Sequence, residues 1–173
     1  MIATTFLQIL GLSALLLSTS AFPATNSNEI YYLANCSKCD ITDDNCPYYR
    51  SLMAYYLDAS KSENGQLPTA TSEATGLLTW EENTILGSFT GAKDPDFSAT
   101  IDQDALNSQF YNIVGSGKTE SRELMWSRSV QNSRGANPVL DNFTCYKDSD
   151  RLLYRKGPDY CYSIYWCQWV GQG

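Results

Sequence analysis

The sequence predicts an α+β domain, in which a mainly antiparallel, sandwich-like β structure carries one packed helix and is stabilised by disulfides. Three observations lead to this fold class. Short segments with alternating apolar and polar residues recur along the chain, six cysteines are present, and a single segment has the apolar spacing of an amphipathic helix. A chain of 173 residues is long enough for one domain with a substantial core.

Residues 1–21 are expected to be a secretory signal peptide. No charged side chain occurs before Glu29, and the apolar block from Phe6 to Leu17 is followed by small residues that end at Ala21. The block is too short for a bilayer, which needs about 20 apolar residues. We therefore predict a soluble, secreted, extracellular protein whose single cysteine-rich domain covers residues 22–173.

The first strand is predicted from Glu29 to Asn35 and the helix from Pro47 to Ala59. Within the second segment, four large apolar residues have the i, i+3, i+4, i+7 spacing of one buried stripe: Tyr49, Leu52, Met53 and Tyr56. Pro47 suits a first helical turn. The polar stretch from Ser60 to Thr75 is predicted to be a surface loop.

Further strands are predicted from short alternating patterns. They cover Leu77–Glu81, Ile85–Thr90, the Phe97–Ile101 segment, Phe110–Val114 and Leu124–Val130. A polar loop over Gln131–Asn137 leads into the C-terminal part of the chain.

The stretch from Phe143 to Trp169 holds half of the cysteines and is dense in aromatic residues. Its turn residues predict a three-stranded meander of Phe143–Tyr146, Arg151–Tyr154 and Tyr160–Val170. With unbroken alternation, the last strand carries Cys161, Ser163, Tyr165, Cys167 and Trp169 on one face, and Tyr160, Tyr162, Ile164 and Trp166 on the other.

The six cysteines predict three disulfides in an oxidising compartment. Cys39 and Cys46 flank a short acidic loop and are expected to pair. Cys161 and Cys167 are about 20 Å apart along a strand, too far for a bond that tolerates about 7 Å between Cα atoms. For the remaining residues we prefer Cys36–Cys167 with Cys145–Cys161 over the alternative, Cys36–Cys161 with Cys145–Cys167.

The composition argues against several classes of partner and cofactor. The net charge of −7 and the pI of about 4.5 come without a Lys/Arg cluster, so neither nucleic acid nor an anionic membrane surface is expected as a partner. The chain has no histidine, which removes Ser-His and Cys-His nucleophile arrangements and a common metal ligand. We expect no metal, no cofactor and no catalytic residues.

Two short motifs resemble catalytic or nucleotide-binding sites. Gly115–Thr119 ends like a phosphate-binding loop, but Asn112 occupies the place of the first glycine, so an ordinary turn is predicted. Glu81 and Glu82 have the residue types of a glycosidase pair. Neighbours on a strand point to opposite faces, so these two carboxylates cannot flank one bond.

Asn35 and Asn142 each begin an N-glycosylation sequon. Asn142, with Thr at the third position, is the better acceptor. The sequon of Asn35 has Cys in the middle, which disfavours modification.

Four segments together resemble the small, secreted, cysteine-rich proteins of filamentous ascomycete fungi, many of which are candidate effectors. They are the leader, I-Y-Y-L-A-N-C, F-T-C-Y-K-D with R-L-L-Y, and C-Y-S-I-Y-W-C. The resemblance implies a monomeric, non-enzymatic virulence protein that binds host or extracellular proteins. The alternative is a carbohydrate-binding or cell-wall module with Trp80, Trp126 or Trp169 exposed to polysaccharide, and an antifungal toxin or a hydrolase comes after it.

Overall fold

The computed structural model describes residues 28–43, 45–90, 92, 96–119 and 141–169. Nine strands are present in these ranges. They are β1 (Ile30–Ser37), β2 (Tyr48–Tyr56), β3 (Ala70–Glu73), β4 (Thr84–Ser88), β5 (Asp96–Ile101), β6 (Ile113–Thr119), β7 (Asp141–Lys147), β8 (Leu152–Lys156) and β9 (Asp159–Trp169). Two 3-10 helices, Ala59–Asn64 and Ala105–Asn107, complete the regular structure of the described residues.

The nine strands form one sheet, in which eight follow the order β3-β2-β1-β9-β7-β6-β5-β4 and β8 pairs with β9 beside this order. All pairs of strands are antiparallel. The sheet is nearly closed, because the backbone N–H of Ser88 on β4 donates to Ser72 Oγ on β3 at 2.9 Å. The prediction of a mainly antiparallel β structure is thus confirmed. The predicted sandwich is not confirmed, because the strands form one sheet and not two packed sheets.

The longest strand, β9, organises the sheet. One edge pairs with β1 along its length, while the other edge pairs first with β8 and then with β7. The predicted meander is therefore wrong, because β7 and β8 lie end to end along β9 and do not pair with each other. The connection between them, residues 148–151, follows the same edge of β9, where the N–H of Asp148 donates to the carbonyl of Ile164 and the N–H of Ser163 donates to the carbonyl of Arg151.

Apolar side chains are buried on both faces of the sheet. The inner face holds the larger cluster, in which Tyr31 stacks on Phe97 with ring centroids 3.9 Å apart. On the outer face, a second cluster around Tyr32, Tyr56 and Leu153 is covered by β8 and by the first 3-10 helix. Both faces of β1 and β2 are consequently apolar.

The two-faced burial explains why the predicted helix over Pro47–Ala59 is wrong. Met53 and Tyr55 of β2 join the inner cluster, while Leu52, Ala54 and Tyr56 join the outer cluster. The sequence of a strand that is buried on both faces is a continuous apolar run. Apolar residues at i, i+3, i+4 and i+7 occur in such a run by coincidence, so they do not identify a helix. Likewise, the predicted loop over Ser60–Thr75 contains most of a 3-10 helix and all of β3.

A β-bulge at Ile164 interrupts the alternation of β9. Leu33 pairs with Tyr165 and Ala34 with Ser163, so Ile164 is an extra residue on this strand. Tyr165 and Cys167 therefore face the inner cluster, whereas Cys161 lies in the outer one. The prediction that Cys161 and Cys167 share a face is wrong, because the extra residue between them moves every later side chain of β9 to the opposite face of the sheet.

The register of the sheet sets the disulfides. Cys36 lies directly opposite Cys161, and Cys145 lies directly opposite Cys167, each pair with Cα atoms 4.0 Å apart and joined by a disulfide. Our preferred pairing, Cys36–Cys167 with Cys145–Cys161, is wrong. The Cys39–Cys46 bridge is confirmed, and no cysteine in the described ranges is free.

The remaining elements agree in part with their predictions. Phe97, Ala99 and Ile101 are all buried on one face of β5, as predicted. Gly115–Thr119 lies within β6, so the predicted turn at the phosphate-loop lookalike is wrong. The signal peptide, the strand Leu124–Val130 and the loop Gln131–Asn137 lie outside the described residues.

Candidate functional site

A cleft of about 330 Å³ opens on the outer face of the sheet, beside the second half of β9. Its lining comes from β1, the first 3-10 helix, the segment before β6, the 148–151 connection and β9: Ile30, Tyr32, Ala59, Glu63, Tyr111, Asp148, Arg151, Trp166 and Gln168. The volume falls at the lower end of small-molecule sites, which span about 300 to 1,000 Å³. We refer to it as the Trp166 cleft.

Cross-strand pairing lines up aromatic residues beneath this cleft. Ile113 of β6 is opposite Tyr146 of β7, Tyr146 is opposite Trp166 of β9, and Trp166 is opposite Tyr32 of β1. Tyr146 and Trp166 stack with ring centroids 4.2 Å apart and planes 18° from parallel. Trp166 is partly exposed and contributes an apolar wall to the cleft.

The bulge in β9 positions the charged wall of the cleft. The carbonyl of Ile164 accepts from the backbone N–H of Asp148 at 3.0 Å, and the N–H of Ser163 donates to the carbonyl of Arg151 at 3.0 Å. These bonds hold the 148–151 connection against β9. Bulges commonly redirect side chains next to functional sites, and this one holds Asp148 and Arg151 beside Trp166.

Arg151 is fixed by four neighbours. Its Nη2 donates to Tyr32 Oη at 2.8 Å and its Nη1 donates to the carbonyl of Ser62 at 3.1 Å. Its Nε lies 3.3 Å from Asp148 Oδ2, and its Nη2 lies 4.0 Å from Glu63 Oε1. One N–H on each terminal nitrogen is left for a ligand, because a guanidinium carries five N–H donors.

The guanidinium and the hydroxyl beneath it form a preorganised unit. Burial raises the pKa of Tyr32, against the opposing influence of its hydrogen bond with Ser62 and the charge of Arg151. Tyr32 therefore stays neutral and accepts from Arg151 at physiological pH.

Asp148 is the buried carboxylate of the cleft. The residue is 1% exposed, and its Oδ1 accepts from the N–H of Ser149 at 2.8 Å. Its Oδ2 accepts no hydrogen bond from the described residues, although Arg151 Nε lies within ion-pair distance. This oxygen has almost no accessible surface, so its role is to hold the Arg151 guanidinium in place beside Trp166.

Backbone strain also occurs at this cleft. Tyr111 has φ +68° and Asp150 has φ +55°, in the left-handed region that non-glycine residues rarely adopt. The N–H of Tyr111 donates to the carbonyl of Lys147 at 2.8 Å, which holds the exposed Tyr111 side chain at the rim. Retained strain of this kind clusters at ligand sites.

A second cleft, of about 210 Å³, lies between β2, the segment leading into β3, and β8. Its central cation is Arg50, which lies 2.7 Å from Glu73 Oε1 and 2.8 Å from Asp159 Oδ2. The Trp166 cleft is the larger of the two and has a partly exposed tryptophan in its wall, so it is the stronger candidate.

The two glutamates considered from the sequence are separated in the structure. Glu81 is buried and accepts from Tyr165 Oη, whereas Glu82 is exposed. Burial, reinforced by the hydrogen bond to Glu81, raises the pKa of Tyr165 far above its ordinary value. The pair cannot flank one glycosidic bond, and Glu81 belongs to the core.

The tryptophans proposed for sugar binding do not form an exposed row. Trp80 is 2% exposed, Trp169 packs against the inner cluster, and Trp126 lies outside the described residues. The aromatic wall is instead provided by Trp166, which sequence alternation placed on the strand face opposite Trp169.

The structure gives side-chain hydrogen bonds for Asn35 and a backbone strand pairing for Asn142. Asn35 Oδ1 accepts from Ser51 Oγ at 2.7 Å and from Trp80 Nε1 at 3.0 Å, so this amide joins β1, β2 and the segment before β4. Asn142 pairs through its backbone with Lys118. Glycosylation at either asparagine stays a prediction.

The described residues contain neither a candidate metal site nor a helix that could span a membrane. Within the described ranges, no group of three or more Cys, Asp or Glu side chains is placed to hold a metal ion. None of the helices in these ranges is long and apolar enough to cross a membrane.

No protein-family model, curated protein or solved structure matches the chain. The chemistry of the Trp166 cleft is therefore derived from its own residues.

Proposed function

We propose that this protein is a secreted, effector-like binding protein that acts without catalysis and recognises an extracellular component through the Trp166 cleft. The observation that carries the proposal is the combination, in one cleft, of a partly exposed indole with the Arg151 guanidinium, which Asp148 and Tyr32 hold in place. An apolar wall with a few well-placed polar groups is the usual composition of a ligand site.

Secretion is supported by the three disulfides, which persist in oxidising compartments. The fungal resemblance favours a host or extracellular protein as the partner, and a polysaccharide is the alternative. The protein is expected to act as a monomer. The disulfide-tied sheet holds the cleft rigid, so little conformational freedom is lost when a ligand binds.

A binding function without catalysis is supported by the setting of the cleft carboxylates. Asp148 is buried and paired with Arg151, which keeps its carboxylate away from a substrate, and Glu63 is exposed to solvent. Ligand is therefore expected to leave the cleft chemically unchanged.

The test is a pull-down from plant apoplastic fluid and from a polysaccharide panel, with purified mature protein as bait. Trp166→Ala and Tyr111→Ala alter the cleft. Tyr49→Ala is the matched control for Tyr111, because Tyr49 is also an exposed tyrosine but does not line the cleft. We expect retention of the ligand to fall in the two cleft variants and to be unchanged in the control.

Two further variants address catalysis. Glu82→Gln and Lys118→Ala change exposed side chains that do not line the Trp166 cleft, and both are expected to bind like the wild type. Mass spectrometry of the released ligand is expected to show no conversion. Equal retention by all variants would refute the cleft as the binding site, and product formation would refute the non-catalytic function.

A further inference from the structure

We infer that the ligand of the Trp166 cleft is a short, neutral saccharide, with one pyranose ring lying against Trp166. This inference rests on the proposed binding function and specifies its ligand. A pyranose has an apolar face of C–H groups and a rim of hydroxyls, so it can use an aromatic wall and a polar wall at once.

The aromatic wall is preorganised for such a ring. The backing ring of Tyr146 holds Trp166 at 4.2 Å, and Trp166 lies on the same outer row as Tyr32. Tyr111 stands at the rim with most of its side chain exposed. A flat ring that lies on Trp166 therefore reaches both the rim tyrosine and the charged wall.

Charge argues for a neutral ligand. The charges of the cleft are already compensated or screened, because Arg151 Nε lies 3.3 Å from the buried Asp148 Oδ2 and Glu63 is exposed to solvent. Neither an anion nor a cation therefore finds a strong unpaired partner here. Hydroxyl groups interact with both the Glu63 carboxylate and the Arg151 guanidinium, since each hydroxyl can donate one hydrogen bond and accept others. A neutral polyol is the ligand class that pairs with both of these groups.

The hydrogen-bonding capacity of the wall matches hydroxyls in detail. Asp148 Oδ2 is buried beside Arg151 Nε, so the exposed carboxylate of Glu63 is the acceptor that a ligand O–H reaches. Arg151 keeps one N–H on each terminal nitrogen after its bonds to Ser62 and Tyr32, and a ligand oxygen accepts from these. Gln168 at the edge of the cleft adds an amide that donates and accepts.

The size of the cleft limits the ligand. At about 330 Å³ the cleft is near the small end of ligand sites. A short saccharide or the end of a longer chain fits this space, whereas a folded protein domain would have to insert a narrow projection.

The test is isothermal titration of the full mature protein with cellotriose and chitotriose as neutral probes. Two charged probes of the same length serve as matched ligands: the glucosamine trimer, which is cationic, and the galacturonic acid trimer, which is anionic. We expect at least one neutral trimer to bind, and both charged trimers to bind about tenfold more weakly or not at all, a difference equivalent to about 1.4 kcal/mol.

Variants locate the binding. Trp166→Ala and Gln168→Ala are expected to weaken the neutral probe about tenfold or more and about threefold, respectively, whereas Trp166→Phe keeps an aromatic wall and most of the affinity. In nuclear magnetic resonance spectra, the indole N–H signal of Trp166, assigned by its loss in Trp166→Phe, is expected to shift with the probe. Circular dichroism of each variant checks the fold, and Gln168→Ala keeps the test available if Trp166→Ala does not fold.

The outcomes separate this inference from the proposed function. If neither neutral trimer binds but a partner from apoplastic fluid still depends on Trp166, the saccharide inference is wrong and the binding function stands. If neither probe nor partner depends on the cleft, both are wrong. Equal or tighter binding of a charged trimer would also overturn the choice of a neutral ligand.

Discussion

Removing the Cys36–Cys161 bridge is expected to destabilise the protein more than removing either of the other two. In the chain-entropy description, a bridge restricts the unfolded chain by an amount that grows with the loop it closes. The sequence separations are 125 for Cys36–Cys161, 22 for Cys145–Cys167 and 7 for Cys39–Cys46. The relation gives about 5, 3.4 and 2.4 kcal/mol respectively, against a total stability of about 5–15 kcal/mol for a typical domain.

The test compares three double variants, each of which replaces both members of one bridge by alanine and leaves no unpaired thiol. Guanidinium denaturation at 25 °C, followed by circular dichroism, gives the free energy of unfolding of each. We expect the Cys36→Ala/Cys161→Ala protein to lose about 5 kcal/mol and to be partly unfolded at 37 °C. The Cys39→Ala/Cys46→Ala protein is expected to remain folded.

Lost packing has to be separated from lost chain restriction, because Cys36 and Cys161 are both fully buried. Valine at both positions restores much of the removed volume and suits a strand. A deficit that persists in this valine variant is due to the missing bridge. The reasoning would be refuted if the alanine variant of Cys36–Cys161 lost no more free energy than that of Cys39–Cys46.

Three further perturbations test the packing and the charges. Gly115→Ala is expected to lower the free energy of unfolding by about 1–3 kcal/mol, because the added Cβ would lie 2.2 Å from the Thr100 carbonyl oxygen. Lys118→Ala on the same strand is the control, and its free energy of unfolding is expected to stay within about 0.5 kcal/mol of the wild-type value. Burial raises the pKa of Asp150, so the wild type loses stability relative to Asp150→Asn as the pH rises above about 3.9. Asp150→Asn is therefore expected to be more stable than the wild type at pH 7 but not at pH 3, and a less stable variant at pH 7 would contradict this. Burial also raises the pKa of Tyr48 and Tyr154 to about 12, so the stability that they contribute is present below pH 10 and is lost as the pH rises through 12. This prediction would be ruled out if absorbance at 295 nm showed that every tyrosine of the folded protein ionises near pH 10.

The sequence was informative where one face of a strand differs from the other. The buried side chains Phe97, Ala99 and Ile101 alternate with more exposed ones, so their strand could be predicted from period two. The Tyr48–Tyr56 segment has no such contrast, because each face meets its own apolar cluster. Helical spacing inside a doubly buried run carries little information, and only tertiary contacts decide between the two structures.

The same limit applies to the disulfides and to the cleft. Unbroken alternation along β9 gave the wrong face for one cysteine because the bulge at Ile164 has no local sequence signature. The Trp166 cleft combines residues from distant parts of the chain, which are brought together by the strand order and by that bulge. An aromatic C-terminal strand was visible in the sequence, but the carboxylate and guanidinium beside it were not.

The Cys36–Cys161 bridge also determines whether the two pieces of a proteolysed chain stay together. All three cysteines before residue 47 lie on one side of any cut between residues 47 and 144, and the three later cysteines lie on the other. A single cut in this interval leaves two pieces that Cys36–Cys161 still joins, with β1 and β9 paired across the break. Such a clipped protein would migrate as one species until reductant is added, so a chain built in this way can be cut by a protease and keep β1 and β9 in register.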